Sequence, residues 1–145
     1  MKYYFAYGSN LNLIQMKKRC PDFKKIGSSI LDDYKLLFRK HHKNGNAYLT
    51  IEKAKDKVVP IGIYEISEKD EATLDKREGI KEHCYKKEYL ECDFNGNKIK
   101  GLVYIMENTA KAVPPQEYYE KVKQGYYDFN FDICYLEEAM EECDG

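Results

Sequence analysis

Tyr7-Gly8-Ser9-Asn10 and Glu78 are the residues of this 145-residue chain whose types and settings could do chemistry. Glycine lets a backbone approach a ligand closely. Successive N–H groups at a strand-to-helix turn can hold a carboxylate, helped by the positive end of the following helix. The loop therefore suits an anionic substrate group, although the same four residues also suit a plain turn with a capping asparagine. Glu78 follows Leu74 by four residues, so in a helix the two share a face, and a Leu74 that packs inward aims the later carboxyl inward too. The partial negative charge of a helix C-terminus and desolvation would both raise that carboxyl's pKa, the tuning a general acid/base needs near neutrality. Against this stands a second reading, in which Glu78 belongs to a solvated run with Asp70, Glu71, Asp75 and Arg77.

Other chemistries find no suitable spacing. His41 and His42 are adjacent in a polar stretch, His83 is distant, and there is no H-E-x-x-H, C-x-x-C or D-x-D-x-D-G pattern, so no metal or cofactor is expected. No G-x-S-x-G or phosphate-binding loop occurs, and Ser9 lacks an identifiable base. Cys84 beside His83 reads as a packing cysteine on a strand, since sequence neighbours seldom face one another. The 24 basic and 25 acidic residues nearly cancel, which excludes the positive field of a nucleic-acid or polybasic membrane binder and favours a small-molecule or protein partner. Five cysteines in no paired pattern, with no apolar leader before them, predict a reduced, cytoplasmic protein. No apolar run approaches the roughly 20 residues of a membrane span. Residues 1–145 are expected to form one domain, with 43% hydrophobic residues to build its core. Most of the 14 tyrosines should be half-buried packing residues, with a few left to line a pocket.

The elements that must position these residues can be read along the chain. Lys2–Tyr7 is an aromatic strand feeding the Gly8-Ser9-Asn10 loop, and a short helix follows, capped by Asn10 or Asn12 and ended by Pro21. Tyr34–Phe38 alternates as a strand, with the stretch before it a further candidate. His41–Asn46 is a polar loop, Ala47–Ile51 a short strand, Lys53–Lys57 a charged turn, and Pro60–Ile66 a resumed strand. Ser67 and Asp70 form a capping box for a helix that Gly79 closes. Tyr85–Phe94 and Lys98–Met106 pair across Asn95-Gly96-Asn97 as a hairpin. Gln116–Lys123 forms a short helix ending by Gly125, and Ile133–Cys143 an acidic one. Hairpins with interspersed helices, and no regular βαβ alternation, predict an α+β fold built on a small, curved, barrel-like sheet, mixed or largely antiparallel, with a few peripheral helices.

Two separated segments together narrow the reading. Tyr4-Phe5-Ala6-Tyr7-Gly8-Ser9-Asn10-Leu11, followed by Leu74-Asp75-Lys76-Arg77-Glu78-Gly79 and then Tyr85, resembles the γ-glutamylcyclotransferase family. Gly62-Ile63-Tyr64 and the late Pro114-Pro115…Tyr118…Gly125 segment extend the likeness to about Gly125. The resemblance implies that the loop Tyr7, Gly8, Ser9, Asn10 and Leu11 binds the α-amino-acid end of a γ-glutamyl group. It makes Glu78 the proton shuttle and Tyr85 a pocket residue, with a second pocket tyrosine at Tyr118 or Tyr119, of which spacing to Gly125 prefers Tyr118. The implied reaction is intramolecular attack of the α-amine on the γ-carbonyl, giving 5-oxoproline and a free amino acid or amine without metal or cofactor. The YGSN loop resembles both the branch acting on γ-glutamyl amino acids and one that unmasks a γ-glutamylated amine or antibiotic intermediate. A non-catalytic sensor of γ-glutamyl metabolites is the alternative of another class, and a homodimer is a further expectation. The acidic segment after Asp132 has no counterpart in the resemblance.

Overall fold

A computed structural model describes residues 1–41, 45–106 and 110–143. Its strands are β1 (Lys2–Ala6), β2 (Lys24–Lys40), β3 (Ala47–Ile66), β4 (Lys86–Phe94) and β5 (Asn97–Ile105), and its helices α1 (Leu13–Arg19), α2 (Glu68–Arg77), α3 (Gln116–Asp128) and α4 (Cys134–Cys143). Among the described residues the strands form one sheet of order β2-β3-β1-β5-β4. The central strand β1 runs antiparallel to β3, from Lys2↔Ile66 to Ala6↔Gly62, and parallel to β5 at Tyr4↔Leu102. The sheet is therefore mixed and the fold α+β, as the hairpin pattern predicts. Tyr4, Phe5 and Ala6 are all buried, so β1 is covered on both faces and reads as an unbroken apolar run with no alternation. Val122 and Tyr126 of α3 and Leu136 and Ala139 of α4 join Phe5, Ile61, Ile63 and Leu102 in the core.

The expected curvature is present and stops short of closure. The outer strands β2 and β4 approach where the Ser29 hydroxyl donates to the Asp93 carbonyl, and the Phe94 ring lies 2.7 Å from where a Cβ on Gly27 would stand. Among the described residues no ladder joins β2 to β4, so the sheet curls as an open surface.

Three local expectations are corrected. Lys53–Lys57, read as a charged turn, lies inside the 20-residue β3, which also unites the two short strands expected on either side. Pairing with β2 jumps from Tyr34↔Lys53 to Asp32↔Val58, leaving the intervening residues bulged opposite Asp33. Asp33 and Asp56 take φ of 63° and 65°, and the Asp56 N–H donates to Asp33 Oδ1 at 3.1 Å, so the charged run bends the hairpin without ending it. Gly125, expected to end a short helix, sits inside the 13-residue α3, where the turn after β1 presses against it. Cys84 is buried as expected but lies in the turn ahead of β4. The β4–β5 hairpin forms as Asn95-Gly96 predicts, both with positive φ (50° and 81°). Residues 42–44 of the predicted polar loop, His42 included, lie outside the described residues.

Candidate active site

Helix α2 is fixed at both ends, and Glu78 is its C-cap. At the start, the Ser67 hydroxyl accepts from the Asp70 N–H at 3.1 Å and the Asp70 carboxyl from the Ser67 N–H at 3.4 Å, the reciprocal box the sequence predicts. At the end, the Ile80 N–H reaches the Asp75 carbonyl (3.1 Å) and the Gly79 N–H the Lys76 carbonyl (3.2 Å), a Schellman closure with Gly79 at φ 66°. Leu74 is fully buried, and Glu71 and Asp75 lie along the helix at i−7 and i−3 from Glu78. Lys2 of β1 holds Glu71 at 2.9 Å, Lys87 of β4 bridges Glu71 and Asp75, and the Tyr104 hydroxyl of β5 donates to Asp75 at 2.7 Å. The helix is thus clamped to three strands, and its Glu78 end, through Asp75, to β4 and β5.

Gly79→Ala should lower the unfolding free energy by about 1–2 kcal/mol, because a Cβ at this φ is strained and would crowd Cys84 Sγ at 3.1 Å. Denaturant titration of the variant against the wild type measures that loss. An unchanged midpoint would mean that the closure tolerates a side chain.

The loop after β1 is a single 3₁₀ turn, Ser9–Leu11, closed by the Leu11 N–H to Gly8 (3.0 Å) and the Asn12 N–H to Ser9 (3.0 Å). The Ser9 and Asn10 amides at its start have no acceptor within the turn. Asn12, one of the two caps expected, accepts the Gln15 N–H at 3.1 Å and starts α1. The other, Asn10, is buried: its Nδ2 donates to the Tyr4 hydroxyl (2.9 Å), and its Oδ1 accepts from Arg19 (3.0 Å) and Gln15 (3.2 Å). Its carbonyl accepts from the Tyr64 hydroxyl at 2.6 Å. Every polar group of this asparagine side chain is engaged, so the loop is held in place before any ligand arrives.

Loop and helix end border one cavity of about 450 Å³. Tyr7, Gly8, Ser9, Asn10, Glu78, Tyr85 and Tyr118 all line it, bringing together residues that stand up to 111 positions apart. Leu11 does not: it is fully buried behind the turn, against Gly62 and Gly125, because the 3₁₀ turn directs it into the core. Tyr119 also lies away from the cavity and packs against Phe38, with ring centroids 6.5 Å apart. The cavity wall includes residues that the sequence did not single out, among them Gln15, Arg19, Tyr48, Leu49 and Tyr104. The i,i+4 spacing of Gln15 and Arg19 places both on one face of α1, but nothing in the sequence says that this face folds back on the Asn10 side chain.

Burial pushes the Glu78 carboxyl up from its ordinary value of 4.5 to about 7, against the opposing pull of the Arg19 charge. Among the described residues no hydrogen bond or ion pair engages this carboxyl. Burial first, and then the Glu78 charge, raise the phenols of Tyr7 and Tyr85 well above their ordinary range, while burial raises Tyr118 against the lowering effect of the Leu49 N–H. The three tyrosines therefore serve as neutral hydroxyls. Tyr7 donates to the Tyr104 carbonyl and Tyr85 to the Leu49 carbonyl (3.2 Å), whereas Tyr118 accepts from the Leu49 N–H (3.1 Å) and keeps its own proton for another acceptor. Among the described residues no three His, Cys, Asp or Glu side chains are grouped to hold a metal ion, all five cysteines are free, and no helix is long and apolar enough to cross a membrane.

An open, curled mixed sheet with an amide-rich turn and one raised carboxyl on a common cavity defines the class of fold and site. Residues 4–129 match the profile of the family described as γ-glutamyl cyclotransferase, AIG2-like, and the chain belongs to that family. No curated protein matches the chain in sequence. Among solved structures it is similar to a γ-glutamyl cyclotransferase, with a TM-score of 0.85 and 24% identity over 95% of this chain and 85% of that one. It is also similar to YkqA from Bacillus subtilis (TM-score 0.80, 20% identity, 99% of this chain), of which it spans only 54%. An AIG2-like protein from Mus musculus follows at a TM-score of 0.57 and 18% identity, over 81% of this chain and 82% of that one. At these identities the likeness to the three structures is one of fold.

Proposed function

We propose that this protein is a γ-glutamylcyclotransferase that releases 5-oxoproline and a free amino acid from a γ-glutamyl amino acid, with Glu78 moving the protons. The observation that carries the reading is a carboxyl raised by burial and, among the described residues, engaged by no hydrogen bond or ion pair, on the cavity that Ser9 and Asn10 also line, in a member of this family. Glu78 takes a proton from the substrate's α-ammonium, the freed amine attacks the γ-carbonyl carbon, and the bond from that carbon to the leaving nitrogen breaks. Two protons leave the α-nitrogen and two arrive at the departing one, and a single carboxyl tuned near neutrality can carry each in turn. The ring closes within one molecule, so holding the chain bent supplies the effective concentration that a second reactant would otherwise need. The open amides of the turn and the Tyr118 hydroxyl are the donors available to the negative charge that develops on the carbonyl oxygen.

The pH dependence of kcat/KM tests this reading. As a base Glu78 must be ionised, so the rate should climb about tenfold per pH unit and level off near pH 7, falling again where the substrate's own ammonium loses its proton. An acid limb near 4.5, the ordinary carboxyl value, would contradict the assigned role.

A further inference from the structure

We propose that Arg19 is the specificity-determining residue of the cavity, the cation that takes the α-carboxylate of the γ-glutamyl group. This inference rests on the cyclotransferase reading above. Arg19 sits in the last turn of α1, half-buried on the cavity wall, and its Nη1 donates to Asn10 Oδ1 at 3.0 Å. Among the described residues it makes no ion pair. Partial burial of a guanidinium beside a neutral amide carries a desolvation cost that the single amide contact does not offset, and most of its N–H donors remain for a planar anion.

The other charges on the cavity leave this role to Arg19. Glu117 and Lys121 stand opposite each other at 3.9 Å, and Arg77 is exposed. The α-ammonium and α-carboxylate of the substrate hang on one carbon, so the group that takes the carboxylate must stand beside the group that takes the proton. Arg19 and Glu78 line the same cavity, and the Arg19 charge opposes the effect of burial on that carboxyl. Arg19 is also tied through Asn10 to the turn with the open amides, which puts cation and amides at the same end of the site.

The test compares γ-glutamyl-alanine with 4-aminobutanoyl-alanine, which lacks only the α-carboxylate and closes to 2-pyrrolidinone by the same bond exchange. Wild type should prefer the first by on the order of 10- to 100-fold in kcat/KM, Arg19→Met should lose that preference, and Arg19→Lys should keep part of it. If Arg19 only props up Asn10, both substrates slow equally in Arg19→Met, or in Arg19→Lys should the first variant not fold, and the unchanged ratio overturns the inference. Equal use of both substrates by wild type overturns it as well. If wild type forms 5-oxoproline from none of γ-glutamyl-alanine, γ-glutamyl-ε-lysine and glutathione, the cyclotransferase reading fails and the anchor with it, an outcome distinct from a lost or kept ratio.

Discussion

Glu78→Gln should cost about 100- to 10,000-fold in kcat, the range expected when the group that transfers the proton is removed. Glutamine keeps the size and shape of the side chain, and α2 is held by its capping box, its Schellman closure and the clamps on Glu71 and Asp75, so the variant should fold. It should in fact gain stability at alkaline pH. The folded protein holds its Glu78 proton up to about pH 7, whereas the unfolded chain releases it near 4.5. Wild type therefore loses stability as the pH rises between those values, and Gln, which has no proton to lose, does not. A thermal midpoint for Glu78→Gln above that of wild type at pH 8, and closer to it at pH 4, is the expected result. Loss of turnover with that signature separates chemistry from unfolding. Glu78→Asp, which draws the carboxyl back by one methylene, should retain little of the rate, because proton transfer depends on reach.

Gly125→Ala is the second substitution with a large expected effect, and its sign is set by competing terms. In an open helix interior the change favours folding by about 1 kcal/mol. Here a Cβ would stand 2.6 Å from Leu11 Cβ and 2.7 Å from both the Asn12 nitrogen and the Leu11 carbonyl carbon, atoms of a tightly closed turn and not the end of a flexible side chain. Overpacking of this kind costs about 1–3 kcal/mol, so destabilisation should win. The displaced turn is the one that presents the Ser9 and Asn10 amides, so KM should rise while the acid limb of the pH profile stays put. Gln124→Ala, at the exposed neighbour, changes the same helix without touching the turn and should leave both stability and KM nearly as they are. Equal behaviour of the two variants would mean that the α3–turn contact is not what holds the loop.

The parts legible in the sequence are those governed by local rules. Ser67, Asp70 and Gly79 delimit α2 because capping and positive φ are satisfied within a few residues, and Asn95-Gly96 fixes its hairpin in the same way. Glu78 and Tyr7–Asn10 stood out because their types and family pattern are distinctive. What was not legible depends on distant partners. Whether Lys53–Lys57 ends a strand or bulges within one is decided by Asp33 across the hairpin. Gly125 reads as a helix stop until Leu11 is seen against it. Leu11 belongs to the motif yet faces the core, and Arg19 lies outside the motif yet faces the cavity. Both outcomes follow from how the 3₁₀ turn and α1 pack against the rest of the fold, which no spacing rule encodes.

The most direct test of the central claim is to incubate wild-type protein with γ-glutamyl-alanine, γ-glutamyl-ε-lysine and glutathione in turn and to measure 5-oxoproline by mass spectrometry. 5-Oxoproline is expected in equal amount to the released amino acid or amine, with γ-glutamyl-alanine consumed. Release of free glutamate in place of 5-oxoproline would contradict it, because water and not the substrate's own amine would then be the nucleophile, and so would folded protein that leaves all three substrates intact.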